Sequence, residues 1–251
     1  MLELFSIHNI MVHIPLGTGG YDLSWIEAIG TVLGLINIWL ASREITINYL
    51  FGILNVLLFT LVFYQIQLYA SMLLQVFFLV ANIVGWYMWY QSDNSASPAM
   101  VVRWMPVKQT VVVSIISVLC IALVAANIDA VFIWLSNVAV SVLQLFGVTL
   151  QRPEAIPDPY PIADSTIMIL SIVATVLMIK KYVENWIIWC GLDVLSVWLY
   201  AKQGVYFMSL EYTLLIFIAA FGTWNWIKLA RENRIYAGGQ QGAKISITPQ
   251  G

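Results

Sequence analysis

Charged residues are scarce in this sequence. Only 10% of the 251 residues are charged and 61% are hydrophobic, whereas soluble domains carry about 25% charged residues. Apolar stretches long enough to cross a hydrocarbon core of roughly 30 Å recur along the whole chain. The composition therefore excludes an ordinary soluble domain and predicts a protein that crosses the membrane several times.

Histidine and cysteine are also rare. His8 and His13 precede the first apolar stretch, and Cys120 and Cys190 lie far apart, without a CxxC or zinc-ligand spacing. Membrane hydrolases and oxidoreductases usually need a His cluster, a Ser/His pair or a metal motif. We therefore expect no enzyme, no cofactor, no metal site and no disulfide. We also expect no signal peptide, because no short apolar segment is followed by a small-residue cleavage site.

The apolar stretches predict an all-α integral membrane protein with seven transmembrane helices. They lie at residues 25–42, 48–64, 68–90, 107–127, 162–179, 185–201 and 206–227. Residues 130–148 are long enough for an eighth helix, but with seven spans nine of the 11 Lys and Arg fall on one side. Since cytoplasmic loops are rich in Lys and Arg, we expect the N-terminus outside, the C-terminus in the cytoplasm, and residues 130–148 in an outer interfacial helix.

These spans divide the chain into five segments. They are an outer N-terminal segment (1–24), a three-helix unit (25–90), a linker with the fourth helix (91–160), a second three-helix unit (161–228) and a cytoplasmic tail (229–251). Residues 1–14 resemble a surface helix, which the Gly-rich stretch GTGG then ends. The polar, Gly-rich tail is predicted to be disordered.

The two three-helix units align with each other. At an offset of 137 residues, 25–89 match 162–226 without a gap, and the coinciding residues include Asn48 with Asn185, Tyr49 with Trp186, Gly85 with Gly222 and Trp89 with Trp226. Because one helix separates the units, they run parallel in a 3+1+3 arrangement with a pseudo-two-fold axis along the membrane normal. We expect a substrate site between them.

A polar stripe runs along the sixth predicted span. In KYVENWIIWCGLDVL and the residues that follow, one helical face carries Trp186, Trp189, Asp193, Ser196 and Tyr200, beside Asn185. An ionisable residue near the bilayer centre costs roughly 2.5–3.5 kcal/mol, so Asp193 should face a wet cavity. The alternative is a polar bond between two helices.

Amides follow other helices at similar spacing. The candidates are Asn48 and Asn55 in the second span, Gln75 and Asn82 in the third, and Tyr212 as a closing residue in the seventh. Amides read sugar hydroxyls as both donors and acceptors, but they also join helices to one another in membranes. Two tryptophans and an acid suit a flat aromatic cation, so the pattern indicates a cationic aromatic ligand with an attached polyol.

Three runs of the sequence resemble the PnuC family of bacterial nicotinamide riboside transporters. They are LSWIEAIGTVLGLINIWLASRE, NYLFGILNVLLFTLVFYQIQLYASMLLQVFFLVANIVGWYMW and KYVENWIIWCGLDVLSVWLYAKQGVYFMSLEY. The resemblance covers about residues 3–232, and the W-E-x-x-G, LYASMLLQ and N-W-x-x-W segments fall in the family's order and spacing.

The resemblance carries several expectations. It implies a seven-helix fold related to the SWEET sugar transporters, a homotrimer in the bacterial inner membrane, and facilitated diffusion of nicotinamide riboside trapped by a cytoplasmic kinase. The family's W-x-x-W pair falls on Trp186 and Trp189, which would hold the nicotinamide ring. Related proteins carry thiamine on the same scaffold, so another cationic vitamin is the alternative. Ion coupling through Asp193 or Glu27 also stays open.

Overall fold

The computed structural model describes residues 5–15, 20–66, 68–95, 100–148 and 157–246. Within this part, two short strands precede eight helices: β1 (Ile10–Ile14), β2 (Tyr21–Ser24), α1 (Trp25–Ser42), α2 (Asn48–Gln65), α3 (Tyr69–Asp93), α4 (Val107–Ala125), α5 (Ile128–Leu145), α6 (Pro161–Ile179), α7 (Glu184–Lys202) and α8 (Tyr206–Ser246). We call α1–α3 the first unit and α6–α8 the second unit.

The N-terminal segment is a hairpin. β1 pairs antiparallel with β2, so the predicted surface helix over residues 1–14 is wrong for Ile10–Ile14. The run IMVHI is rich in β-branched residues, which favour strands. Ser24 then begins α1 with a capping box, since the Glu27 backbone N–H donates to the Ser24 side chain and the Glu27 side chain accepts from the Ser24 backbone.

Two tryptophans join the units at one end of the bundle. The Trp89 indole N–H in α3 donates to the Ile179 carbonyl, 3.0 Å away, at the end of α6. The Trp226 indole N–H in α8 donates to the Ala41 carbonyl, 3.2 Å away, near the end of α1. The first helix of each unit therefore ends beside the third helix of the other unit.

The fourth helix starts at this same end. The Arg103 backbone exchanges hydrogen bonds with Lys181 (3.1 Å) and Val183 (3.0 Å) in the α6–α7 turn, which places the start of α4 beside the end of α6. We call this end the basic end; its cations include Arg43, Arg103, Lys108, Lys180 and Lys181. The two units therefore run parallel, and α4 connects the basic end of the first unit with the opposite end, where α6 begins.

Seven of the described helices are long and apolar enough to cross a membrane, which confirms the predicted number. These seven helices are not the same seven that the sequence predicted, because α5 is long and apolar enough and α7 is not apolar enough. α7 loses hydropathy through its polar stripe, in which Asn185, Asp193 and Ser196 are buried. It nevertheless runs the length of the bundle, since it begins at the basic end and α8 returns there at Trp226.

α5 lies at the opposite end. Ala139 and Val140 pack against Met72, at the start of α3. The Asp129 side chain, in the first turn of α5, accepts a hydrogen bond from the Asp158 backbone N–H (2.9 Å), just before α6. The segment between α4 and α6 thus starts and finishes at one end of the bundle. This arrangement fits the predicted interfacial helix, whose depth in the membrane stays a prediction.

The C-terminal tail is helical as far as Ser246, where the sequence predicted disorder. α8 continues to Ser246, and the first ten residues beyond the predicted span, KLARENRIYA, are mostly good helix formers. Residues 247–251 lie outside the described part of the chain.

Positions 137 residues apart share local geometry. Glu44 and Lys181 both have a positive φ, 60° and 56°, in the turns after α1 and α6. In the next turn, the Asn48 side chain donates to the Ile45 carbonyl (2.7 Å), and the Asn185 side chain donates to the Tyr182 carbonyl (2.5 Å). The second helix of each unit therefore begins in the same way.

Candidate substrate cavity

A cavity of about 260 Å³ lies between the two units. All six of their helices contribute to its lining. Its volume falls below the roughly 300–1,000 Å³ of pockets that bind drug-sized ligands, so the cavity suits a small metabolite. The aromatic and polar residues that line it are Asn37, Tyr49, Asn55, Gln75, Phe78, Asn82, Thr175, Trp186, Trp189, Asp193 and Tyr212.

Seven of the nine residues predicted from the sequence line this cavity. They are Asn55, Gln75, Asn82, Trp186, Trp189, Asp193 and Tyr212. The helical phase used for the prediction thus brings residues from α2, α3, α7 and α8 into one place. Their contacts with a ligand stay predictions.

Asn48 and Asn185 do not line the cavity. Both side chains are fully buried and donate to carbonyls three residues earlier, at the starts of α2 and α7. Asn commonly bonds to nearby backbone at such helix starts. The structure therefore gives the side-chain donors of these two residues a local structural role, outside the lining of this cavity.

The second unit contributes an aromatic wall. The Trp186 ring lies edge-on to Trp226, with centroids 5.9 Å apart, and Trp189 packs against the same cluster. Gly222 makes room for the indole, because a Cβ added there would lie 2.6 Å from the Trp186 ring. The Trp186 indole N–H is buried and has no hydrogen-bond partner among the described residues.

Asp193 is the one acidic residue among those that line the cavity. Its side chain is 4% exposed, and within the described part of the chain it forms neither a salt bridge nor a hydrogen bond. A buried carboxylate normally has a partner, because an isolated buried charge is costly. Asp193 therefore does not join two helices, and the open alternative of a helix-to-helix bond is not supported. Its position suits a positively charged ligand.

The first unit contributes amides. Asn55 donates to the Gly30 carbonyl in α1 (2.7 Å), and Asn82 donates to the Phe78 carbonyl (2.8 Å). These bonds use one donor of each side chain and leave its oxygen for a ligand hydroxyl. Each amide thus has both of the roles that the sequence left open: it bonds to a helix carbonyl, and it lines the cavity.

Sequence reasoning missed four of these lining residues: Asn37, Tyr49, Phe78 and Thr175. Asn37 continues the α1 face that carries Glu27, Thr31 and Gly34, so its spacing was a usable signal. Its buried side-chain oxygen has no partner among the described residues. Tyr49 aligns with Trp186 at the offset of 137, and that correspondence also pointed to it.

The lining positions are paired between the units. Seven pairs are separated by 137 residues: Ile38 with Thr175, Ala41 with Met178, Tyr49 with Trp186, Val56 with Asp193, Gln75 with Tyr212, Phe78 with Leu215, and Asn82 with Ala219. The geometry is therefore nearly symmetric, but the chemistry is not. The lining amides come from α1–α3, whereas the lining tryptophans and the carboxylate come from α7.

Membrane-crossing helices in two parallel units, with a small cavity of apolar, aromatic and polar side chains between them, are typical of a membrane transporter. A sequence model of the nicotinamide mononucleotide transporter family matches residues 24–228, and the chain belongs to this family. The match confirms the resemblance on which the expected fold and activity class rested.

Relatives with curated names support the same placement. The nicotinamide riboside transporter PnuC of Escherichia coli (strain K12) is 51% identical over 231 residues, which cover 92% of this chain and 97% of the relative. The protein of that name from Neisseria mucosa is 26% identical over 221 residues, covering 84% and 74%. A crystal structure of the vitamin B3 transporter PnuC matches the fold with a TM-score of 0.58 at 23% identity, over 83% of each chain.

Proposed function

We propose that this chain transports nicotinamide riboside, a precursor of NAD, across the bacterial inner membrane. The observation that carries the proposal is the chemical division of the cavity, with tryptophans and a carboxylate on one side and amides on the other. A pyridinium ring suits the indole faces and the carboxylate, and a ribose suits the amides. The names of the curated relatives agree with this ligand.

The cavity favours the riboside over the mononucleotide, which carries an additional phosphate. The described residues that line it include Asp193 but no Lys, Arg or His. Phosphate sites normally provide Arg, Lys or clustered backbone N–H groups, and a buried phosphate beside an unpaired carboxylate would be repelled. Thiamine shares the positive charge and the aromatic ring, but it has a single hydroxyl to offer to the amides.

Transport would use the two units as moving halves. Equivalent positions that line one cavity and begin their helices alike support an internal repeat related by a pseudo-two-fold axis. Rocking of α1–α3 against α6–α8 would expose the site to each side in turn. The basic end would face the cytoplasm, with the N-terminus outside.

The remaining expectations concern the setting of transport. We infer facilitated diffusion, with a cytoplasmic kinase trapping the riboside as its phosphate, and a homotrimeric assembly as in the family. In liposomes without the kinase, such transport equilibrates the riboside without accumulating it and is insensitive to ionophores. Accumulation that an ionophore collapses would instead assign ion coupling, for which Asp193 is the candidate.

Equilibrium titration of the purified protein tests the ligand. Nicotinamide riboside should bind, nicotinamide mononucleotide should not, and thiamine should compete weakly or not at all. Trp186→Ala and Trp189→Ala should each weaken riboside binding by about 1 kcal/mol or more, since buried aromatic contacts are worth about that much. Trp198→Ala, on the exposed face of α7, is the matched control. Unchanged affinity in both cavity variants would overturn the proposed site.

A further inference from the structure

A second, larger cavity lies on the surface of the bundle, outside the substrate site. It is a groove of about 540 Å³ between α4 and α6. Its walls are apolar and include Val112, Val113, Ile116, Val173 and Val176. Ser117, also in the wall, donates to the Val113 carbonyl of its own helix (2.8 Å), so it leaves no free donor in the groove.

The mouth of the groove is positively charged. Lys108, in the first turn of α4, and Lys180, directly after α6, both line it. Both are exposed, and neither forms a salt bridge within the described part of the chain. The end of this groove therefore presents two cations that form no ion pair with any carboxylate among the described residues.

Neutral donors belong to the same end of the groove. The Tyr182 hydroxyl donates to the Gln109 side-chain oxygen (3.3 Å), which leaves the Gln109 N–H donors for another acceptor. The first turn of α4 adds backbone N–H groups, because its N-cap is Pro106 and no side chain caps it. The nearby carboxylate of Glu184 is occupied, since it accepts from the Met105 backbone N–H at 2.9 and 3.1 Å.

The groove opens to the lipid. In α4, all of whose residues are described, Ser117 alone is buried, and Val112 and Ile116 are more than half exposed. An apolar helix surface this exposed belongs in hydrocarbon, and a cluster of lysines at its end lies at the level of the head groups. Basic pockets between transmembrane helices are suited to anionic lipid head groups.

We propose that this groove binds an anionic phospholipid. The phosphate lies between Lys108 and Lys180, within reach of the Gln109 amide and the start of α4, and an acyl chain lies along the apolar walls. The lipid would thus fill the space between the linker helix α4 and the first helix of the second unit. Charge complementarity selects the anionic lipid over a zwitterionic one, in which the phosphate's charge is balanced by its own amine.

Native mass spectrometry of the detergent-purified full chain tests this proposal. Phosphatidylglycerol and phosphatidylethanolamine with identical acyl chains are added in equal amounts. The wild type should retain phosphatidylglycerol several-fold more than phosphatidylethanolamine. The double variant Lys108→Gln/Lys180→Gln should lose that preference. The control Lys202→Gln/Lys228→Gln removes two exposed lysines from elsewhere and should keep it.

A second variant separates the groove from general surface charge. Val113→Trp places a large ring in the apolar wall and should lower retention of both lipids while leaving both lysines in place. Equal retention of the two lipids by the wild type, or an unchanged preference in the lysine variant, would overturn the proposal. It would also fail if the lysine variant changed the oligomeric mass without changing lipid retention, because a second copy of the chain would then cover the groove.

Discussion

The Lys181 side-chain nitrogen lies 2.8 Å from a carboxylate oxygen of Glu44, and these two residues occupy equivalent positions in the two units. Both have a left-handed backbone, with φ of 56° and 60°. Direct contact between equivalent positions is expected close to the axis of a two-fold arrangement. The ion pair therefore supports the pseudo-two-fold arrangement that we propose, and it joins the two halves whose movement we propose.

A charge exchange tests this ion pair. Lys181 is 3% exposed and Glu44 is 22% exposed, and Asp93 lies 3.7 Å from the Lys181 nitrogen. Lys181→Glu should therefore clearly lower the melting temperature by placing a third carboxylate beside those of Glu44 and Asp93. The double variant Glu44→Lys/Lys181→Glu should recover part of the loss, because both positions have the same backbone conformation. Thermal unfolding in detergent should give a coupling energy of roughly 1–3 kcal/mol.

Lys228 and Glu232 provide the control for this exchange. They form an exposed pair at 4.0 Å, one turn apart on α8, and such pairs contribute little. Exchanging their charges should leave the melting temperature nearly unchanged. If the inner pair couples no more strongly than this surface pair, it does not hold the two units together.

Two glycines should be essential to the cavity wall. A Cβ at Gly222 would lie 2.6 Å from the Trp186 ring, and a Cβ at Gly85, the equivalent position, would lie 2.4 Å from the Tyr49 ring. Each Gly→Ala variant should displace a lining ring and weaken riboside binding about tenfold, since overpacking costs roughly 1–3 kcal/mol. Gly191→Ala, which meets no atom within 4 Å, is the control; an equal effect there would point to helix propensity rather than ring displacement.

Helix positions and most of the site were accessible from the sequence, because hydropathy sets the spans and a period of 3.6 residues places polar side chains on one face. The phase of α7 correctly joined Trp186, Trp189 and Asp193. Phase alone did not show which amides reach the cavity: Asn82 bonds to the backbone of its own helix and still lines the cavity, whereas Asn48 and Asn185 do not line it.

Hydropathy alone does not define two features of the fold. α5 is apolar enough to cross the membrane, so it was the distribution of Lys and Arg that predicted an interfacial helix, and the contacts of α5 with the start of α3 agree with that prediction. The hairpin was missed because β1 has no long strand pattern of its own. Its pairing with β2 stabilises it, and pairing is a non-local property that a local pattern does not show.

A pair of amide substitutions distinguishes the ligand site from the structural positions. Gln75 lines the cavity, and no protein hydrogen bond holds its side chain within the described part of the chain, so Gln75→Ala should weaken riboside binding about three- to tenfold, the value of one net hydrogen bond. Binding of 1-methylnicotinamide, whose methylated ring nitrogen carries the positive charge but no sugar, should not change. Asn48→Ala should instead lower the melting temperature and leave the affinity intact. A shared loss of both ligands in Gln75→Ala would contradict a ribose contact.

The role of Asp193 is tested by changing the charge on both the protein and the ligand. Asp193→Asn keeps the size of the side chain and removes its negative charge. It should weaken binding of nicotinamide riboside at least tenfold, which corresponds to about 1.4 kcal/mol.

Binding of the reduced dihydronicotinamide riboside, which has nearly the same shape and no positive charge, should be unchanged or tighter, because the neutral ligand no longer meets an uncompensated carboxylate. The melting temperature should not fall, since within the described residues Asp193 has no protein partner to lose. Equal weakening of both ligands would mean that Asp193 shapes the cavity, and a lower melting temperature with intact affinity would mean that it serves the fold.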